Sequence, residues 1–414
     1  MSAFTQIFIA LLAATVLVRL WLGMRHVAFV QAHRGTVPAA FATTVSLEAH
    51  QMAADYTTAK TRLVMALAVA QAIVLTLLTV GGILQWLDLQ WLVLLPDHTL
   101  LRGALVIASA LAMGSLAELP FDYYKTFVVD ERFGFNKMTR GMFFSDMVKH
   151  ALVGTAFGAP VLFAALWLMQ GAGDAWWLYL WILWSAFNLL MLAIYPTFIA
   201  PLFNKFVPLQ DETLKVRIEG LLQRCGFKSQ GLFVMDGSSR SSHGNAYFTG
   251  FGSAKRVVFF DTLLDRLDAD EIEAVLAHEL GHYKHHHVFK RIALLFGVSF
   301  AGLALLGWLV HQLWFYAGLG VMSPSSHMAL LLFLLVSPVF MLLLRPLMSG
   351  YARQNEFEAD AYAAEHASAR QLVDSLVKLY RFNASTLTPD PLHSAFYDSH
   401  PPASLRIARL AETA

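Results

Sequence analysis

Residues 277–282 read Ala-His-Glu-Leu-Gly-His, which sets His278 and His282 four positions apart with Glu279 between them. On a helix, residues i and i+4 share a face about one turn apart, so two imidazoles can reach one ion. Glu279 lies about 100° round the helix from His278, where its carboxylate can take the proton of a metal-held water. The ion that suits this pair is zinc, which lowers the pKa of such a water from about 15.7 to near 7. The spacing alone recurs by chance. Its setting adds weight, because Ala269 to His287 reads as one helix with Asp268 as its N-cap.

A catalytic zinc takes three protein ligands and leaves one position open. Cys225 is the single cysteine, so the ligands must come mainly from His, Asp or Glu, and sixteen histidines are available. The segment Asn355-Glu-Phe-Glu-Ala-Asp-Ala-Tyr-Ala363 has helical composition. Glu356 and Asp360 share a face there while Glu358 points away. Glu356 is therefore the candidate third ligand of one Zn2+ per chain, and Asp360 a candidate to hold a ligand histidine by its other ring nitrogen. Alone, the segment is an exposed acidic helix face; beside a helical His-Glu-x-x-His on the same membrane side, it becomes a ligand segment. His285, His286 and His287 follow directly. His285 and His286, three and four residues past His282, could point the same way, but a fourth ligand would close the open position. The three are read as lining the membrane interface or a substrate channel.

The elements that position these residues lie in a membrane. Of 414 residues, 57% are hydrophobic and 14% charged, with mean hydropathy +0.53. Soluble domains average about 45–50% apolar and about 25% charged. The composition excludes a cytosolic enzyme, a nucleic-acid binder and a disordered chain, and a net charge of +1 recruits no polyanion. Seven stretches approach the ~20 residues of a spanning helix: 4–24, 63–87, 101–119, 151–170, 176–198, 292–316 and 327–347. The first has no small-residue cleavage site and runs into Arg25, so it reads as a retained helix. Glu118 and Pro160 weaken the third and fourth.

With the N-terminus outside, the outer segments 1–3, 88–100, 171–175 and 317–326 contain no Lys or Arg. The inner side receives Arg25, Arg34, Lys60, Arg62, Lys125, Arg132, Lys137, Arg140 and Lys149, together with segments 199–291 and 348–414. The positive-inside rule thus puts both soluble segments in the cytoplasm. The chain divides into membrane helices 1–5 with their cytosolic loops (1–198), a metalloprotease segment with the zinc helix (199–291), membrane helices 6–7 (292–347) and a C-terminal metalloprotease segment (348–414). In the first soluble segment, Asp211–Leu222 reads as an amphipathic helix, Leu232–Asp236 and Arg256–Asp261 as short strands, and 236–244 as a loop. The fold class is mainly α: a polytopic membrane protein carrying a zincin-type domain with a small β-sheet.

Taken together, these residues resemble the type I CaaX prenyl endopeptidases, integral membrane zinc metalloproteases of the gluzincin group. Leu119-Pro-Phe-Asp-Tyr-Tyr-Lys-Thr-Phe127 and Glu131-Arg-Phe-Gly-Phe-Asn-Lys137 resemble the family's loop between its third and fourth helices. Tyr195-Pro-Thr-Phe-Ile-Ala-Pro-Leu-Phe-Asn-Lys205 resembles the segment leaving its fifth. Ser241-Ser-His-Gly-Asn-Ala-Tyr-Phe248 with Lys255-Arg-Val-Val-Phe-Phe-Asp-Thr-Leu-Leu264 resembles its substrate-edge strands, and Ser399-His-Pro-Pro402 with Arg406-Ile407 its C-terminal signature. The matches run from about 118 to 410, and the 25–62 loop fits more loosely.

The resemblance implies roles. His278, His282 and Glu356 match the zinc ligands and Glu279 the general base. Asn245, with Ala246 and Tyr247, matches a strand that hydrogen-bonds an extended substrate. His400 matches a histidine that stabilises the oxyanion; without the resemblance, Ser399-His400-Pro-Pro is a Pro-stopped loop. Arg406 becomes a partner of Asp360. The implied fold is a barrel of seven helices around a water-filled intramembrane chamber, capped by the protease domain. Gln71, His311 and Gln312 would face that chamber, with snorkelling an equal account of the last two. His26, His33, His98 and His327 are expected to be interfacial polar residues near helix ends.

The implied reaction hydrolyses peptide bonds, either in CaaX-type C-terminal processing of prenylated peptides or in wider membrane-protein proteolysis. The expected partners are a peptide or protein substrate, with or without a prenylated C-terminal cysteine, and membrane lipid; no nucleic acid and no nucleotide is expected. The Ala/Leu-rich character points to a bacterial source and an inner membrane, with the endoplasmic reticulum the eukaryotic counterpart. A transporter or a silent chamber binding lipid or peptide would have the same spans, yet has no reason to keep Glu279 beside His278. The related heat-shock membrane metalloproteases share the zinc motifs, but seven spans with Asn136-Lys137 and Ser399-His-Pro-Pro402 favour the CaaX type.

Overall fold

The computed structural model describes residues 2–249 and 256–412; Lys255, which opens one of the quoted motifs, lies outside them. Helix α1 (Ala3–Ala32) starts where Ser2 Oγ accepts the Thr5 N–H, and α2 (Leu47–Leu78) where Ser46 does the same for Ala49. A short apolar helix α3 (Ile83–Leu94) precedes α4 (Thr99–Tyr124), which continues through a π-helical stretch to Asp130. Then come α5 (Arg140–Gly171) and α6 (Trp176–Ile194).

The soluble lobe begins with β1 (Phe206–Pro208), α7 (Glu212–Arg224), β2 (Leu232–Met235), β3 (Ala246–Thr249) and β4 (Arg256–Phe260). The strands form one sheet in the order β1-β2-β4-β3, with β2 and β4 parallel and both outer pairs antiparallel. The single turn α8 (Asp261–Leu264) leads to α9 (Ala269–Lys284), whose start is a capping box between Asp268 and Glu271. The chain re-enters the membrane as α10 (His287–Leu309), crosses a short α11 (Leu313–Gly318) and returns as α12 (Ser326–Met341). Four helices end it: α13 (Arg345–His366), α14 (Ala369–Phe382), α15 (Pro391–Tyr397) and α16 (Ala403–Ala411).

Seven helical segments are long and apolar enough to cross a membrane: Ala3–Ala32, Leu47–Leu78, Thr99–Asp130, Arg140–Gly171, Gly173–Leu202, His287–Leu309 and Ser326–His366. All seven expected spans are present, with shifted ends. The second runs from 47 rather than 63, because residues 47–62 stay helical where Ala53, Ala54 and Tyr56 are buried. It ends at Leu78 rather than 87, because the chain turns at Gly82 with φ of 81°. The sixth ends at Leu309, short of 316. The helix that carries His278 and His282 ends at Lys284, not His287.

Contacts sort the connections into two ends. At one, Lys137 N–H donates to the Arg240 carbonyl, Arg240 Nε to Asp146 (3.0 Å), and the Tyr56 hydroxyl to Asp130 (2.8 Å). The sheet and site helices sit at that end. At the other, Thr5 bonds the Gly318 carbonyl, and Gln85 bonds Met322 and Ser323. Only 11% of the apolar window is buried in the second, fourth, fifth and sixth spans, so those walls are one helix thick around a hollow interior. Part of that interior is a cavity of about 410 Å³ between α1, α2, α4 and α12, where Gln71 donates to Glu118 at 2.6 Å.

Candidate active site

Two helices from distant parts of the chain build the site, and a glycine lets them meet. A Cβ on Gly281 would lie 2.8 Å from Ala359 Cα and 3.0 Å from its carbonyl oxygen, so α9 and α13 pack backbone to backbone. That approach lays Glu356 against the face bearing His278 and His282. His278 Nε2 and His282 Nε2 are 3.2 Å apart. Glu356 Oε1 is 3.2 Å from His282 Nε2, and Glu356 Oε2 is 3.5 Å from His278 Nε2. One donor atom from each of the three residues lies within 4.8 Å of the others. Glu356 Oε2 is buried, with His400 Nδ1 at 2.8 Å and Arg406 Nη1 at 3.6 Å. A buried carboxylate facing two imidazole nitrogens fits a cation, and the mixed N/O set fits a borderline divalent metal.

The far side of each imidazole is also occupied. His278 Nδ1 lies 2.9 Å from Asp360, which the buried Arg406 grips through both Nε and a terminal nitrogen. Burial opposes a charge on His278, yet its hydrogen bonds to Asp360 and Glu356 lift its pKa to about 9 in the ion-free site. His282 Nδ1 lies 2.9 Å from His287 Nδ1, and His287 Nε2 lies 3.0 Å from Glu358. Glu279, next to His278, is half-buried. His400 is largely exposed over the site, on a loop that follows α15, and Arg353 holds the end of that helix and the loop's start through the carbonyls of Ser394, Ala395 and Asp398.

Asn245 is exposed and immediately precedes β3, the edge strand carrying Ala246 and Tyr247. Among the described residues β3 pairs only with β4, so its other edge can accept an added strand. Every expected site residue is therefore among the described residues, and His278, His282, Glu356, Asp360, His400 and Arg406 form one connected group. Glu358 does point away from the metal-facing atoms, as its helical spacing requires.

The three consecutive histidines divide. His286 takes a left-handed conformation (φ 57°) between α9 and α10, and His287 begins the next helix. That break returns His287, not His285 or His286, to the back of His282. The sequence reading missed it because a continuous helix would have carried His287 away from that face. Of the four histidines expected near helix ends, His26 and His327 are buried. His26 is buried, stacked on His393 with ring centroids 4.0 Å apart, and accepts the Asp390 N–H. His327 is buried and 2.8 Å from Asp88. Arg353 was also missed; its carbonyl partners lie some forty residues away, and no local spacing marks it.

A family model described as CAAX prenyl protease N-terminal, five membrane helices, matches residues 26–205, and one described as peptidase family M48 matches 208–414. The chain is 37% identical to CAAX prenyl protease 1 homolog from Arabidopsis thaliana over 75% of this chain and 74% of that protein. It is also 37% identical to CAAX prenyl protease 1 from Saccharomyces cerevisiae, over 72% and 70%. The crystal structure of S. mikatae Ste24p superposes with a TM-score of 0.92 at 29% identity, covering 99% of each chain.

Proposed function

The chain belongs to the CAAX prenyl proteases of peptidase family M48, a membrane metalloprotease acting on peptide or protein substrates, and on that premise we propose which of its residues do the chemistry. His278, His282 and Glu356 hold one Zn2+. The buried Glu356 carboxylate within 4.8 Å of two imidazole nitrogens is the observation that supports this most directly. When bound, the ion supplies Lewis acidity toward the scissile carbonyl and acidifies water.

Glu279 takes the proton of the attacking water and later delivers it to the leaving amine. His400, exposed above Glu356, donates to the developing oxyanion. Asn245, Ala246 and Tyr247 align the substrate as an added strand on the free edge of β3. Asp360, fixed by Arg406, holds the His278 ring. The clean Lys/Arg asymmetry of the loops supports a cytosolic active site, in the inner membrane of a bacterium or the endoplasmic reticulum of a eukaryote. The transporter and silent-chamber readings have nothing to do with the Glu279 carboxylate.

Glu279→Gln should abolish hydrolysis while one zinc stays bound per chain; measurable turnover by that variant sinks the mechanism. The proposed substrate is a peptide with a prenylated C-terminal cysteine, cut to release the last three residues, with the lipid chain lodged in the chamber. Purified protein given a farnesylated CaaX peptide and its unprenylated twin should cleave only the first, with each cut located by mass spectrometry. Equal cleavage of both favours the wider reading, general turnover of membrane proteins.

A further inference from the structure

Among the described residues, two arginines below the active site, Arg19 and Arg345, form no ion pair with a carboxylate. Arg19 lies within α1 on the wall of the intramembrane cavity, and its Nε is buried without a hydrogen-bond partner. The ionisable groups beside it are Arg345 and Tyr397, with no carboxylate among them. Arg345, the first residue of α13, places its guanidinium carbon 5.4 Å from the Tyr397 ring centroid. Nearby acids are engaged elsewhere: Glu118, on the same cavity, accepts from Gln71, and Asp398 faces His26, Arg353 and His400. An intramembrane charge is costly and marks a ligand by default. Two like charges around one phenol raise that cost unless an anion joins them.

We propose that Arg19 and Arg345 form the subsite that anchors the α-carboxylate of the substrate's C-terminal residue, on the leaving side of the cleaved bond. This rests on the C-terminal processing reading above. The dimensions agree. Glu356 lies eleven residues beyond Arg345 on α13, about 16 Å at 1.5 Å per residue. An extended tripeptide covers about 10 Å of that, and the arginine side chain reaches back over the rest. A guanidinium fork matches a carboxylate in two parallel hydrogen bonds. Tyr397, three residues before His400, offers a third donor. Burial pushes its phenol up while the two arginines oppose that, and it keeps its proton. Such an anchor would count three residues from the free terminus.

The test uses full-length Glu279→Gln protein in detergent and one fluorescent prenylated peptide with either a free C-terminal carboxylate or an amide. The acid should bind at least about tenfold tighter. Arg19→Gln and Arg345→Gln should each lower acid binding to the amide's level while amide affinity holds, which also reports that the variants are folded. Arg19→Lys, which keeps the charge, should retain part of the preference. Equal binding of acid and amide by the parent, binding of neither, or full selectivity in both Gln variants overturns the proposal. Equal binding would leave these cations to lipid phosphates. Cleavage by the unsubstituted enzyme is scored separately, so acid-selective binding without cleavage would keep the subsite and cost the processing reading.

Discussion

His282 Nδ1 lies 2.9 Å from His287 Nδ1, and the opposite nitrogen of His287 lies 3.0 Å from Glu358. The proton positions follow. If His282 gives Nε2 to a metal, its proton sits on Nδ1 and is donated to His287. His287 then carries its own proton on Nε2 and donates it to Glu358. Two rings thus connect the metal-facing nitrogen to a carboxylate that is 44% exposed. His287→Ala should weaken metal binding about 10- to 100-fold, read by competition with a chromophoric chelator. Glu358→Gln should cost less, since an amide oxygen still accepts; a larger loss from Glu358→Gln than from His287→Ala would contradict this arrangement.

Removing the metal should reverse the pH dependence at His278. Its pKa of about 9 in the ion-free fold stands above the ordinary histidine value of about 6.5. A raised value means that the protonated form stabilises the fold. That contribution is complete below about pH 6.5 and lost as pH climbs toward 9. With chelator present, Tm should fall across this window. The metal needs the neutral ring, so its affinity should rise over the same range. A chelated protein whose Tm is flat between pH 6.5 and 9 would rule this out.

Gly281→Ala should separate the two site helices. The added methyl meets Ala359 backbone atoms at 2.8 and 3.0 Å, and backbone cannot rotate aside as a side chain can. Overpacking of this kind costs about 1–3 kcal/mol. Moving Glu356 from the histidines should lower metal affinity as well. Unfolding by heat and metal titration on the same sample would check both; unchanged metal affinity would show that α13 moves without opening the site.

Arg406→Met should be severe, because it leaves the Asp360 carboxylate buried with only His278 as partner. Breaking a buried pair from one side costs about 3–5 kcal/mol. Adding Asp360→Asn to Arg406→Met should recover part of the loss in a thermal scan. No recovery would mean that Arg406 acts through packing of α16 instead of charge.

Helix α9 was legible in the sequence because its whole logic is local. Asp268 caps it, Glu271 completes the capping box, and the i, i+4 spacing alone puts His278 and His282 on one face. The spans were legible for a similar reason: the bilayer demands a continuous apolar run, and seven are present. Their ends were not, since the helix of the second span begins at Leu47, well before its apolar run, and the span stops where Gly82 adopts a left-handed turn. Glu356 and Arg406 could be nominated by composition and family likeness, and the fold brings both beside His278. What sequence could not decide was the meeting of α9 and α13 at Gly281, the left-handed His286 that brings His287 behind His282, or the pairing of Arg19 and Arg345 around Tyr397. Periodicity sets which face of a helix a residue occupies. Which other face it meets depends on close packing between segments tens to hundreds of residues apart, and that exists only in the folded chain.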